Sequence, residues 1–266
     1  MTKLISFFLM VFCFSSAEVL PKSPVSNTSS KKVNTDFLGT DCDYCIYFGS
    51  GINYLVFQQK PPQNIEPVDF RNFGGPSFLV EATIKINKDF RYKMEYQNHP
   101  TSNMNSNSLV LNNNHVKWFY TNIGGEYLMP EDFVFLKYQW KPRIIFSYQI
   151  HSMPFMVQNE SGYTINNEGV DTLSAGFHFD IFATKYLTFI WRNRLQVPVR
   201  SHGELRVHSG VSLDGVIGIV RVFSKKWSST LYWGGQYHQF DYSFNNNSGK
   251  YILGNSQLSV GLGYSY

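Results

Sequence analysis

Long apolar runs are almost missing from this 266-residue chain. The one run, Leu4 to Phe14, is too short to cross a bilayer as a helix, which takes roughly 20 residues. Membrane spans made of helices are thereby excluded. Cysteine is scarce, with three residues in all, so neither a disulfide-rich scaffold nor a cysteine-built metal centre can be assembled. A dominant charge sign is also absent. Lys and Arg number 23 against 19 Asp and Glu, a net +4, which is too weak a balance to argue for nucleic acid. No glycine-rich phosphate loop stands between a strand and a helix. GGEY and LDGV lie in strand-like surroundings, where glycine marks a bend or close packing.

The start of the chain carries an address. Lys3, the apolar run and Ser15-Ser16-Ala17 form a secretory signal peptide over 1–17, with cleavage expected after Ala17. Residues 18–42 are rich in Ser, Lys, Asn, Thr and Pro without periodicity, and read as a flexible segment. Cys42 and Cys45 are the cysteines left after cleavage. They are a candidate disulfide in an oxidising compartment. A fully extended strand would hold them too far apart to bond, which favours inert thiols. No second Cys/His cluster completes a metal site, and no cofactor is expected.

What the chain does have is rings and alternation. Aromatics make up 17% of it, with 23 Phe and 17 Tyr, yet mean hydropathy is −0.23. Tyr44, Ile46, Phe48 and Ile52 share one face; so do Phe78, Val80 and Ile84; so do Phe90, Tyr92, Met94 and Tyr96. The pattern continues through 134–150, 173–181, 187–197 and 227–242, and closes with Leu258, Val260, Leu262, Tyr264 and Tyr266. Segments 115–128, with Val116, Trp118 and Tyr120 as its apolar face, and 203–223 carry weaker versions. Period two marks strands with one apolar face.

Tight turns fall at 87–89, 129–132, 183–185 and 224–226, alternating with long polar connections at 58–75, 98–114, 152–170, 199–203 and 243–252. Short turns at one end and longer loops at the other are the signature of a membrane barrel. A soluble ligand-carrying barrel shares the period, with its apolar side inward. Strand runs near the 9–11 residues of a tilted lipid crossing, and rings gathered at strand ends, favour the apolar side outward. The fold expected is all-β: a transmembrane, antiparallel, up-and-down barrel over 43–266, with about ten strands and eight or twelve as alternatives.

The signal peptide, the hairpin rhythm and QLSVGLGYSY together resemble bacterial outer-membrane β-barrel proteins. The resemblance is architectural and covers 43–266. It implies an outer-membrane location with both termini periplasmic, and membrane lipids as surroundings. It also implies recognition by the barrel-insertion machinery through Leu258, Val260, Leu262, Tyr264 and Tyr266. Other envelope proteins are further candidate partners.

The faces opposite the apolar ones supply the candidate lumen: Glu81, Lys85, Arg91, Lys93, Glu95, Lys117, Lys137, His178, Asp180, Arg192, Arg194, Arg206 and His208, with Arg143 and Asp214. Bases outnumber acids in this set. Buried charges must pair or stay wet, so the favoured reading is a plugged structural or anchoring barrel without enzymatic activity. A narrow pore for small anions is the alternative. A barrel enzyme acting on lipid or peptide is a third reading. His178, Asp180 and Arg192 are its best cluster, because the adjacent pairs His151-Ser152 and His208-Ser209 point to opposite faces of their strands.

Overall fold

The structure is a computed structural model, and it describes residues 42–60, 68–103, 111–113, 115–159, 162–244 and 247–266. The signal peptide and the segment up to residue 41 lie outside the described residues. In chain order the strands are β1 (Tyr44–Lys60), β2 (Val68–Lys85), β3 (Phe90–Asn103), β4 (Leu111–Asn113), β5 (His115–Leu128), β6 (Phe133–Phe135), β7 (Tyr138–Asn159), β8 (Gly162–Thr184), β9 (Leu187–Ser201), β10 (Arg206–Val222), β11 (Trp227–Phe244) and β12 (Asn247–Ser265).

All but the three-residue β4 and β6 form one antiparallel sheet in the order β1-β2-β3-β5-β7-β8-β9-β10-β11-β12. The sheet closes on itself: β12 returns to β1, from Cys45↔Ser265 to Lys60↔Lys250. It is the ten-stranded, up-and-down barrel that the alternation and turn rhythm imply. Outward-facing Ile46, Phe48, Ile52, Phe146, Phe177, Leu195, Leu258, Val260 and Leu262 make an exposed apolar girdle. Such a girdle around a closed wall is how a strand protein crosses lipid, since closure leaves no unpaired backbone edge.

Local chemistry sets the tight turns. Asn87 Oδ1 accepts the backbone N–H groups of Asp89 and Phe90, each at 2.9 Å. Ser224 Oγ accepts those of Lys226 and Trp227, at 3.3 and 3.0 Å. Such side-chain-to-backbone bonds hold a turn without a helix or ladder. Leu136 and Lys137 have φ of 49° and 70° and turn the chain between β6 and β7.

Several stretches that sequence pattern assigns to connections are strand. β7 and β8 stay paired from Gln139↔Phe182 to Asn159↔Gly162, and β11 with β12 to Phe244↔Asn247. The reason is a change of side. Along β7, Phe146 and Ile150 face outward while Met153 and Phe155 face inward and are buried. Beyond the girdle the wall meets water, so apolar side chains turn to the interior and polar ones outward. A search for one constant apolar face reads that exchange as a lost pattern.

Closure brings β1 and β12 very close at Gly261. A Cβ there would run into the carbonyl oxygen of Phe48 and the Tyr47 hydroxyl. Gly261→Leu is therefore expected to block closure, seen as loss of the fast-migrating, heat-modifiable band on a gel. Ser259→Ala, on the same face, leaves that band in place.

Candidate functional site: a lumen in two layers

The lumen changes character along each strand. On β3 the inward positions run His99, Gln97, Glu95, Lys93, Arg91; on β5 they run Val116, Trp118, Tyr120, Asn122, then Glu126. The end where β1 begins and β12 finishes is ionic. The opposite, hairpin end is apolar.

In the ionic layer Glu126 is the hub. Arg91 Nε donates to its Oε2 at 2.6 Å, His178 Nδ1 lies 3.3 Å from its Oε1, and Lys93 Nζ lies 3.8 Å away. Lys93 also pairs with Glu81 at 2.8 Å. Asp180 sits between Arg143, at 3.3 Å, and His178 Nε2, at 3.1 Å. Arg192 and Arg194 reach Glu95 at 3.5 and 3.6 Å, and Arg194 also pairs with Asp214. Tyr120 donates its hydroxyl to Glu95 at 2.7 Å. The set holds five bases (Arg91, Lys93, Arg143, Arg192 and Arg194) and five acids (Glu81, Glu95, Glu126, Asp180 and Asp214). Paired this way, buried charge is tolerated, whereas removing one partner strands the other.

Above it lies a layer of rings and amides. His99 stacks on Trp118 at 4.4 Å between centroids, His238 meets Trp118 edge-on at 5.2 Å, and His151 meets His238 at 4.8 Å. Asn53 Nδ2 lies 2.7 Å from His99 Nδ1, and Ser212 Oγ lies 2.8 Å from His238 Nδ1. All three imidazoles are buried. Among the described residues, no group of three or more His, Cys, Asp or Glu side chains is placed to hold a metal ion.

Among the described residues, side chains of the wall itself fill the hairpin end. Leu55, Phe57, Val116, Met153, Phe155, Ile165, Phe240, Tyr242, Tyr251 and Leu253 belong to one buried apolar cluster. Phe155 stacks on Tyr251 at 4.2 Å. Polar bonds fix the β7–β8 hairpin over the opening. Gln59, on β1, donates Nε2 to the Met156 carbonyl at 2.9 Å and accepts the Met156 N–H at 2.7 Å. Tyr251 donates its hydroxyl to the Pro154 carbonyl at 2.8 Å. β2, β3 and β5 separate β1 from β7 in the sheet, so the Gln59–Met156 pair crosses the lumen. A cavity of about 110 Å³ runs along the ionic layer, lined by Glu81, Lys93, Arg192, Tyr47, Tyr232, Thr230 and Gln257, and by Cys45 and Ser265 where β1 begins and β12 finishes.

Of the sequence-derived lumen residues, Glu81, Lys85, Arg91, Lys93, Glu95, His178, Asp180, Arg192 and Arg194 face inward, as do Arg143 and Asp214. Lys85 sits at the rim, 3.6 Å from Asp43. Four do not belong. Lys117 is exposed because β5 has the opposite phase: Val116, Trp118 and Tyr120 are the buried face. Lys137 occupies the turn before β7. Arg206 and His208 are exposed, at a bulge between Val207 and Ser209 that shifts the phase of β10. The same inversion of β5 hid Glu126. Its sign in the sequence was that Asn122 and Glu126 share parity with Trp118 and Tyr120. Leu258, Val260 and Leu262 face outward, with Tyr266 fully exposed at the end. Cys42 and Cys45 lie with Cα atoms 5.9 Å apart, within the span a disulfide bridges. The extended-strand objection does not apply, since the chain bends at Asp43 before β1 begins.

Both ring nitrogens of His178 lie beside carboxylates, Nδ1 3.3 Å from Glu126 and Nε2 3.1 Å from Asp180, although Nε2 makes no aligned hydrogen bond. A second His–Asp pair lies on the outer wall. There His202 Nε2 is 2.9 Å from Asp171 Oδ2, the oxygen that also accepts the Tyr148 hydroxyl. With its Cδ2 edge turned to Gly169, His202 pins the loop before β10 to β8.

No known family matches the chain, and no curated protein matches it. Solved structures align with it over most of its length. The outer membrane protease OmpT from Escherichia coli aligns with 84% of this chain and 97% of its own, at a TM-score of 0.47 and 9% identity. The translocator domain of the autotransporter NalP from Neisseria meningitidis aligns with 83% and 88%, at 0.41 and 11%. An outer membrane channel from Pseudomonas putida F1 aligns with 83% and 96%, at 0.40 and 6%. A protease, a translocator domain and a channel stand side by side, so the likeness carries no activity over.

Glu126→Ala leaves Arg91, Lys93 and His178 short of a partner. It is expected to cost about 3–5 kcal/mol of stability, read as a lowered guanidinium midpoint in detergent. Lys117→Ala and Arg206→Ala, on the outside, change stability by no more than about 0.5 kcal/mol.

Proposed function

We propose that this protein is an outer-membrane barrel of the bacterial envelope, with its termini on the periplasmic side, acting as a sealed structural anchor without enzymatic activity. The observation that carries this reading is the self-made closure of the hairpin end, where Phe155 stacks on Tyr251 and Gln59 binds both backbone groups of Met156. A solute would have to part an apolar cluster first and a neutral ionic network second. The apolar girdle and the C-terminal alternation support residence in lipid.

The anion-pore alternative drew on an excess of lumen bases. With Glu126 counted and Lys117, Lys137 and Arg206 outside, the buried set is balanced, and that electrostatic attraction is gone. The enzyme alternative needs a nucleophile beside a base, and the groups recorded at the His178 ring are Arg91, Glu126 and Asp180, none of them a hydroxyl or thiol. Unchanged lipid profiles in a deletion strain would count further against it.

Planar-bilayer recording tests the sealed reading. The purified, heat-modifiable barrel is expected to give no conductance steps above background. Regular steps from the unmodified protein would overturn it in favour of the pore.

A further inference from the structure

The end of the barrel where β1 begins and β12 finishes repeats one small device. Four short turns there set a lysine at or beside a tip with an aromatic ring one or two residues on: Lys88 and Phe90, Lys137 and Tyr138, Lys185 and Tyr186, Lys226 and Trp227. These lysines are exposed, and the rings stand where the apolar girdle ends. One of these pairs is in cation–π contact, with Lys185 Nζ 4.7 Å above Tyr186; Lys226 Nζ instead lies 5.9 and 5.7 Å from the rings of Tyr264 and Tyr266 at the end of the chain. Across the four turns, five lysines (with Lys225) stand against three carboxylates, Asp89, Glu131 and Asp132. Of these, Asp132 already accepts a bond from Gln139 at 2.9 Å.

We propose that this end is a docking ring for anionic phospholipid headgroups in the leaflet facing the termini. A ring at the girdle's edge sits at headgroup depth. A lysine beside it can lay its stem along apolar surface and lift its ammonium to the phosphate. Positive charge at that level is attracted to anionic lipid and little affected by zwitterionic lipid. The turn bonds at Asn87 and Ser224 fix two of the tips, and the two-residue turn at Leu136–Lys137 fixes a third. The lysines are thereby held in a circle rather than scattered. The partner is thus a lipid surface, chosen by charge. The inference rests on the membrane reading above.

The test is lipid retention. The barrel is reconstituted in nanodiscs of phosphatidylcholine with a minor share of phosphatidylglycerol, and the lipids held after detergent extraction are measured by native mass spectrometry. Phosphatidylglycerol should be enriched roughly fivefold per lysine-seated headgroup, and added salt should erode the enrichment. K88Q/K137Q/K185Q/K226Q should abolish it, while K60Q/K117Q/K250Q at the hairpin end leaves it intact. Equal retention of both lipids by the unmodified protein, or enrichment unchanged in the turn variant, would overturn the ring. Heat-modifiable migration of each preparation reports the barrel independently, so failure of lipid selection and failure of the membrane reading are distinguishable.

Discussion

Everything in this structure depends on the pairing of β1 with β12. In lipid no water is present to bond a free N–H or carbonyl, so a sheet that crosses must have no edge. The first and last strands meet along their whole length, from Cys45↔Ser265 to Lys60↔Lys250. The glycines on β12 permit that approach, Gly261 most plainly. A strand pattern that runs to the last residue of a chain would be odd on a free end. Here the end is the seam.

Closure fixes what the inside has to be. Ten strands leave a lumen that side chains can fill, and two different solvents outside dictate two different fillings. Where the wall faces lipid, polar residues have only the interior, and they arrive as a neutral network around Glu126 and Glu95. Where the wall faces water, apolar residues have only the interior, and they arrive as the Phe155–Tyr251 cluster. The buried histidines and Trp118 stand where the two regimes meet. The seal is thus a product of the same alternation that builds the wall, with its phase exchanged at the girdle's edge.

Much of this was legible in the chain. Strand identity, three of the four tight turns, the closed ten-stranded order and the inward Glu81, Arg91, Lys93, Glu95, His178, Asp180, Arg192 and Arg194 follow from period two and turn chemistry; the turn expected at 129–132 comes instead at Leu136–Lys137, after the short β6. Three things were not legible, each for a physical reason. The hairpins beyond the girdle look like connections because their apolar residues change sides. On β5 the apolar face of Val116, Trp118 and Tyr120 looks like a lipid face and Lys117 like a lumen residue, whereas the rings fill the lumen together with Glu126. Arg206 and His208 were misplaced because a bulge on β10 changes parity, and bulges leave no mark in alternation alone.

If the hairpin-end cluster excludes water, the cavity beside the ionic network is reached only from the end where β1 begins and β12 finishes. Cysteine accessibility tests this most directly. Ser228→Cys lines the cavity, and Val116→Cys lies in the apolar cluster. In reconstituted barrels treated with a small, charged, thiol-specific reagent, Ser228→Cys should react and Val116→Cys should stay unmodified from either side. Labelling of Val116→Cys at a rate comparable to Ser228→Cys would contradict the account.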